Sequence, residues 1–487
     1  MSSLTIVFAS SEATPIAKTG GLADIAGALP QALRKMGHEL FIFMPFYKHH
    51  VEKSEIVTTQ LQLKVEIFMD HQVFECPIHL AIIENVHYYL VEYNPYFDRD
   101  GLYGPPGGAY DDNISRFTLF NRATLETLRQ LRIPVDIIHC HDWQTAMIPM
   151  MIDYQYQHVP TLAHAKTVYT IHNLAYQGVF GKEWITRLGL PEAPFHLEGY
   201  EFHHQINCMK AGIYSADAIT TVSQTYAQEI LTAEYGCELD GFLIEHRDKL
   251  LGIVNGLMIE EWNPETDTVI EAPYSAENLL GKSQCKRALQ TLCGWKPNSD
   301  VPILTAITRL ADQKGVDLIL AAAIPLLERG CQMVIVGSGD PYLEHALHQL
   351  CHSHASQVYF YQGFNEDFAR MAYAGGDIFL MPSRFEPCGL GQLMAMRYGT
   401  IPVARATGGL KDTIINHQFN PEQSTGFLFD HANVDDFLHS AHIAVTTWYA
   451  EKELWHRMTQ RAMLRDSSWS ASAQLYKQLY LDLVRHD

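Results

Sequence analysis

The sequence predicts an α/β fold made of two doubly wound halves, each a parallel sheet between layers of helices. Three observations predict it. Strand-length apolar runs alternate with helix-length segments, the pattern of βαβ units. The alternation pauses after residue 255 and resumes near 301. Glycine-rich turns recur where a strand-like run passes into a helix-like one.

In chain order, residues 4–9 (LTIVFA) read as a strand, 21–36 as a helix and 40–44 as a second strand. Residues 61–92 break the rhythm with several strand-like runs and no helix between them, and read as a β-rich insertion. Residues 133–140 (IPVDIIHC) precede a helix at 145–156, and 166–171 (KTVYTI) is the next strand. Strands at 218–222 and 250–254 complete the first set. Prolines at 264, 273 and 297 mark 255–299 as a linker. The second set opens with a strand at 301–307 and a helix at 317–323, which Pro325 is expected to interrupt. Further strands fall at 332–336, 358–361, 378–381 and 401–403. Residues 432–483 are helical without a strand partner and read as a tail that packs across domains. Two such halves predict a cleft with ligands outside the carboxyl ends of the strands.

Composition limits the function. The chain has 487 residues, 47% hydrophobic, 18% charged, with a formal net charge of −20. That excludes wholesale disorder and argues against nucleic acid or an anionic membrane as partner. Nine cysteines, an odd number without a CxxC pair, read as reduced thiols of a cytoplasmic protein. No apolar stretch reaches membrane-spanning length.

Several strand-to-helix turns carry candidate chemistry. Lys18, Gly20 and Gly21 in AKTGGLAD offer a point charge and backbone amides at a helix start, suited to an anion. The same residues also suit a plain β–turn–α. Arg309 and Lys314 in TRLADQKG reach either a diphosphate or solvent. Residues 336–340 (VGSGD) read best as a tight turn. The segment 382–392 (PSRFEPCGLGQ) places Glu386 before Gly389 and Gly391, which open a helix. Cys388 reads as an inert small residue, since no base accompanies it. The turn 407–413 (TGGLKDT) repeats the strand–GG–helix logic. His139, His141 and Asp142 have a metal-like spacing that no further cluster completes, so no metal is expected. His172 lies just past a strand.

Taken together, 18–24 (KTGGLAD), Arg309 with 313–315 (QKG), 386–390 (EPCGL) and 407–413 resemble the bacterial glycogen synthases and plant starch synthases. The resemblance runs the length of the chain, with four motifs in order, and is to the ADP-glucose type. It implies a GT-B fold: residues 1–255 as an acceptor-side domain, 256–465 as a donor-side domain, and 466–487 crossing back to the first. It implies transfer of glucose from ADP-glucose to the non-reducing end of an α-1,4-glucan with retention, no metal and no cofactor. A UDP-glucose-dependent enzyme and a silent glucan-binding protein are the alternatives.

Roles follow from the resemblance, position by position. Lys18, Arg309 and Lys314 engage the donor phosphates, and Gly20 and Gly21 admit the distal phosphate. Glu386 holds the donor glucose, with His172 beside it. Asp142 and Asn255 line the donor sugar. Phe364 stacks on adenine, while Cys388, Gly389, Leu390 and Gly391 supply backbone around the phosphates. Asp24, Tyr96, His141 and Trp143 fall on the acceptor side. Gly391 departs from the pattern, because relatives carry a hydroxyl residue there. The motifs supply one well-placed carboxylate rather than the pair used by retaining glycosidases, so a front-face route is expected.

Overall fold

A computed structural model describes residues 3–54, 56–105 and 108–485. The chain divides into two compact units. The first comprises residues 1–222, 227–255 and 469–487, and the second 223–226 and 256–468.

The first unit is built on a nine-stranded sheet. From one edge its strands run Leu250–Gly252, Ala218–Thr221, Lys166–Ile171, Ile137–His141, Thr5–Ala9, Glu39–Pro45, Val86–Val91, Gln72–Ile83 and Thr59–Met69. Seven of them are parallel, and the two at the far edge pair antiparallel. The region 61–92 therefore extends the main sheet, with Val86–Val91 parallel to Glu39–Pro45. The inner strands are largely buried: Val7, Phe8, Ile137 and Ile138 are 0% exposed. Continuous apolar runs rather than alternation are what a sheet covered on both faces requires. A separate three-stranded sheet forms from Val179–Gly181, Gln205–Asn207 and Glu201–Phe202. The helix expected at 145–156 is Met147–Met151 followed by a π-turn, Ile152–Tyr156. The last helix, Trp469–Arg485, packs in this unit against Gly21–Lys35, burying Tyr476 and Tyr480.

The second unit has a six-stranded, wholly parallel sheet. Its order is Val358–Gln362, Gln332–Gly337, Ile303–Ile307, Ile378–Met381, Ile401–Arg405 and Phe427–Phe429. Three expectations need correction. Residues 256–299 are not a linker: they carry the helix Leu280–Leu292 and bury Ile270, Tyr274, Cys285 and Trp295 in this unit. Pro325 does not interrupt its helix, which runs Val316–Glu328. The bond it forfeits belongs to the carbonyl of Ala321, an exposed residue whose carbonyl water can satisfy. The short edge strand Phe427–Phe429 is an addition to the expected set.

Candidate active site

Each sheet reverses its strand order at one place, and ligands bind at such switch points. In the first unit the reversal lies between Thr5–Ala9 and Ile137–His141. In the second it lies between Ile303–Ile307 and Ile378–Met381. The loops leaving these four strands hold most of the candidate residues.

The first-unit loop 10–21 wraps a buried carboxylate. Glu12 is 3% exposed and accepts from the Thr19 amide at 2.5 Å and from Thr19 Oγ1 at 2.9 Å. Burial pushes the Glu12 carboxyl up, and the Thr19 bonds oppose the shift. Nothing in the motif spelling marks Glu12, yet it holds the Lys-Thr-Gly-Gly turn. Lys18 pairs with Asp24 at 2.7 Å; the lysine is half exposed, so the pair contributes little stability. Gly20 caps the following helix in extended backbone, φ −156°. A Cβ there would meet no atom within 4 Å, so the chain's own packing does not demand glycine.

Beyond Ile137–His141, Asp142 adopts a left-handed conformation, φ 54°. Its Oδ1 accepts from the His172 amide at 2.8 Å, and burial raises its pKa to about 7. Three histidine rings line up behind it. His139 accepts or donates between Tyr480 Oη at 2.7 Å and Thr170 Oγ1 at 2.5 Å. Its ring lies tilted against His141, centroids 4.2 Å apart, and His141 Nδ1 lies 2.9 Å from His172 Nε2. His139 and His141 are 0% exposed. The ring read as an acceptor contact, His141, therefore has no surface to offer a glucan, and only His172 of the three reaches partial exposure. Trp143 packs on Gly178, where a Cβ would come within 2.5 Å of Trp143 Cε3, and edge-on to Phe117. Tyr96 packs instead with Phe74, Tyr93 and Phe97. Asn255 is 4% exposed, and its Oδ1 is buried without a hydrogen bond among the described residues.

The histidine row predicts a pH response. Burial depresses His139 and His141 well below the usual value and His172 to about 3. Their contribution is thus present above pH ~6.5, the unfolded value, and is lost as pH falls toward 3. Asp142 runs oppositely: its raised pKa favours the fold at low pH, and that contribution is lost as pH rises through about 7. Between pH 6 and 5 the three histidines outweigh the opposing shifts of Asp142, Asp153 and Glu12, so the first unit loses stability as pH falls. The urea midpoint of the first unit is expected to drop accordingly, and His139→Gln to flatten the slope by about 1.4 kcal/mol per unit. An unaltered slope in that variant would show the row to be uncoupled from folding.

In the second unit, two loops are stitched into one surface. Lys314 Nζ lies 2.6 Å from Glu386 Oε2, which also accepts from Ser383 Oγ at 3.0 Å. Glu386 is 6% exposed. Arg384 forks onto Asp317 at 2.8 and 2.7 Å, and its amide bonds the Gln313 carbonyl at 2.8 Å. Gly315 sits at φ +64°, with a hypothetical Cβ 2.1 Å from the Pro382 carbonyl oxygen. The turn 407–413 closes from the other side. The Gly409 amide bonds the carbonyls of Glu386 and Pro387 at 3.1 Å each. A Cβ on Gly409 would lie 2.0 Å from the Cys388 carbonyl oxygen. Buried Gln392 donates to the carbonyls of Cys388 and Gly389 at 3.1 and 2.9 Å. Gly391 opens the helix Gly391–Arg397, and a Cβ there would lie 3.3 Å from Phe379 Cζ. Arg309 is exposed and has no ion pair among the described residues. Phe364 is 74% exposed, a free aromatic face in the loop after Val358–Gln362. The turn 337–340 is structural: a Cβ on Gly337 would strike the Thr308 carbonyl oxygen at 2.0 Å. Among the described residues, no three His, Cys, Asp or Glu side chains converge as a metal site.

Comparison with known proteins decides the family. Residues 5–245 match the starch synthase catalytic domain, and 301–445 match glycosyl transferases group 1. A glycogen synthase 2 from Geobacter metallireducens is 42% identical over 477 residues, covering 98% of each chain. The chain belongs to the glycogen synthase and starch synthase family. A glycogen synthase from Bacillus cereus is 43% identical over 99% of this chain and 100% of its own. The catalytic domain of starch synthase IV from Arabidopsis thaliana, solved with ADP and acarbose, superposes with a TM-score of 0.92 at 34% identity. That match covers 99% of this chain and 100% of that one. The fold is accordingly GT-B, and the protein is a glycosyltransferase of the glycogen synthase type. No helix among the described residues is long and apolar enough to cross a membrane.

Proposed function

We propose that this family member transfers glucose from ADP-glucose to the non-reducing end of an α-1,4-glucan, retaining configuration and releasing ADP. The observation that carries the reading is the Lys314–Glu386 pair, held at the switch point of the second sheet by Ser383 and the paired loops. Support for the nucleotide comes from the Arabidopsis thaliana starch synthase domain, which was solved bound to ADP.

The chemistry follows from charge. Breaking the glycosidic bond leaves negative charge on the diphosphate, and Lys18, Arg309 and Lys314 offset it. The start of the helix Gly391–Arg397 adds backbone amides. Charge compensation thus comes from the chain, and the reading includes no cofactor. In this reading Glu386, whose Oε2 is held by Lys314 and Ser383, orients the glucose rather than attacking it. The departing phosphate then takes the proton of the incoming 4-hydroxyl on the same face. Phe364 offers its exposed ring to adenine. His172, Asp142 and Asn255 hold the glucose, while Asp24 and Trp143 serve the acceptor. Nine free cysteines support a cytoplasmic location.

The test is glucose incorporation into glycogen from ADP-glucose against UDP-glucose. A clear preference for ADP-glucose is expected. Preference for UDP-glucose would reject the donor, and no incorporation from either would reject the reaction.

A further inference from the structure

We propose that His141 is a positioning residue: its Nδ1–H fixes the His172 ring in the tautomer that presents Nδ1–H to the substrate as a hydrogen-bond donor. The inference rests on the proposed function for the place of His172 beside the donor glucose, and deepens it by assigning the ring's polarity.

His141 Nδ1 and His172 Nε2 are 2.9 Å apart, so one of the two nitrogens carries the shared proton. Burial keeps both rings neutral. A neutral imidazole has one N–H and one bare nitrogen, and the bond made by one nitrogen sets the other. Two arrangements exist. If His172 Nε2–H donated, His141 would carry its proton on Nε2. That nitrogen is fully buried and has no hydrogen-bond partner among the described residues. A stranded buried N–H is the rarest kind of unpaired polar group, because its desolvation goes uncompensated. If His141 Nδ1–H donates, its Nε2 is a bare nitrogen and no donor is stranded. The second arrangement puts the only proton of His172 on Nδ1.

The surroundings keep His141 from turning to escape this choice. Phe8 stacks on its ring at 5.5 Å and 16°, and His139 lies against it at 4.2 Å. His139 is itself tied to Tyr480 and Thr170. The His141 amide bonds Thr145 Oγ1 at 2.6 Å, and that hydroxyl donates back to the His141 carbonyl at 2.8 Å. His172 is the partly exposed member, its amide pinned to Asp142. Its Nδ1–H therefore addresses an oxygen that accepts, such as a sugar hydroxyl oxygen. It offers no bare nitrogen to remove a proton, which leaves that task to the departing phosphate.

The test reads the tautomer directly. The full chain, labelled with nitrogen-15 in the histidine rings and without substrate, is examined by two-bond proton–nitrogen NMR at pH 7.5. The His172 signals are assigned by their loss in His172→Gln. A protonated-type Nδ1 and an unprotonated-type Nε2 are expected, and the reverse would overturn the proposal. In glucose transfer, His141→Leu is expected to lower kcat about tenfold, the size of one lost hydrogen bond, with little change in donor KM. His141→Asn, which restores an N–H near the Nδ1 position, is expected to recover most of that loss. Equal kcat for Leu and Asn variants would also overturn it. The NMR result on unreacted protein stands whichever donor the enzyme uses, so failure of the functional reading is separately visible.

Discussion

Lys314→Ala is expected to lower kcat by roughly 10²–10³, the usual loss when one group aimed at developing charge is removed. Glu386→Gln is expected to fall by a similar factor. The two differ in stability. Both side chains are largely buried, at 15% and 8% exposure. Removing the lysine leaves Glu386 with Ser383 alone among the described residues, and stranding one partner of a buried pair costs about 3 kcal/mol. The glutamine still accepts from Lys314 but leaves its ammonium without a counter-charge, so its urea midpoint should fall by less than that of the alanine variant. Because the groups act as a unit, the double variant should lose less than the product of the single losses. Donor-saturated kcat and urea titration of the second unit check both parts. A Lys314→Ala enzyme within threefold of the parent kcat would remove the pair from the reaction.

Gly409→Ala and Gly20→Ala should separate two uses of glycine that the sequence spells alike. At Gly409 the new methyl would meet the Cys388 backbone at 2.0–2.6 Å, and the same residue's amide holds the Glu386 carbonyl. Relief requires moving the Glu386 turn. A stability loss of about 3 kcal/mol, the upper range for overpacking, is expected together with a large fall in kcat. At Gly20 the backbone is extended and the space open, so the loss should be only the roughly 0.5–1 kcal/mol of placing alanine at a helix N-cap. On the proposed role of Gly20 in admitting the donor phosphate, the effect there should appear as a raised donor KM. Equal destabilisation in the two variants would refute the distinction.

Much of this was legible because the signals are local. Parallel strands buried on both faces must be apolar throughout, so the runs ending at Ala9, Ile171, Ile307 and Met381 are visible without partners. The Gly-Gly turns mark helix starts for the same reason. What the sequence hides depends on distant residues. Glu12 lies seven positions before the Thr19 it holds, with no motif linking them. Tyr480 meets His139 across 341 positions. Gly20 and Gly409 differ only in what stands beside them after folding. Pro325 stays helical because the carbonyl it deprives is on an exposed residue, a fact that follows from orientation. The prolines of 255–299 suggest a linker, whereas Tyr274 and Trp295 pack as core. The resemblance puts His141 on the acceptor side, and only the packed rings show it to be fully buried.

The return of Trp469–Arg485 to the first unit has a consequence for synthesis on the ribosome. Residues 256–468 form one uninterrupted stretch, so the second unit can complete itself as soon as it has emerged. The first unit cannot. Its sheet is translated by residue 252, but the helix bearing Tyr476 and Tyr480 is translated last. At about 5–20 residues per second, the interval is roughly 10–45 s. During that time the strand carrying His139 lacks its tyrosine cover. The unit begun first is therefore finished last, and a chain stopped near 468 would carry a completed second unit beside an unsealed first one.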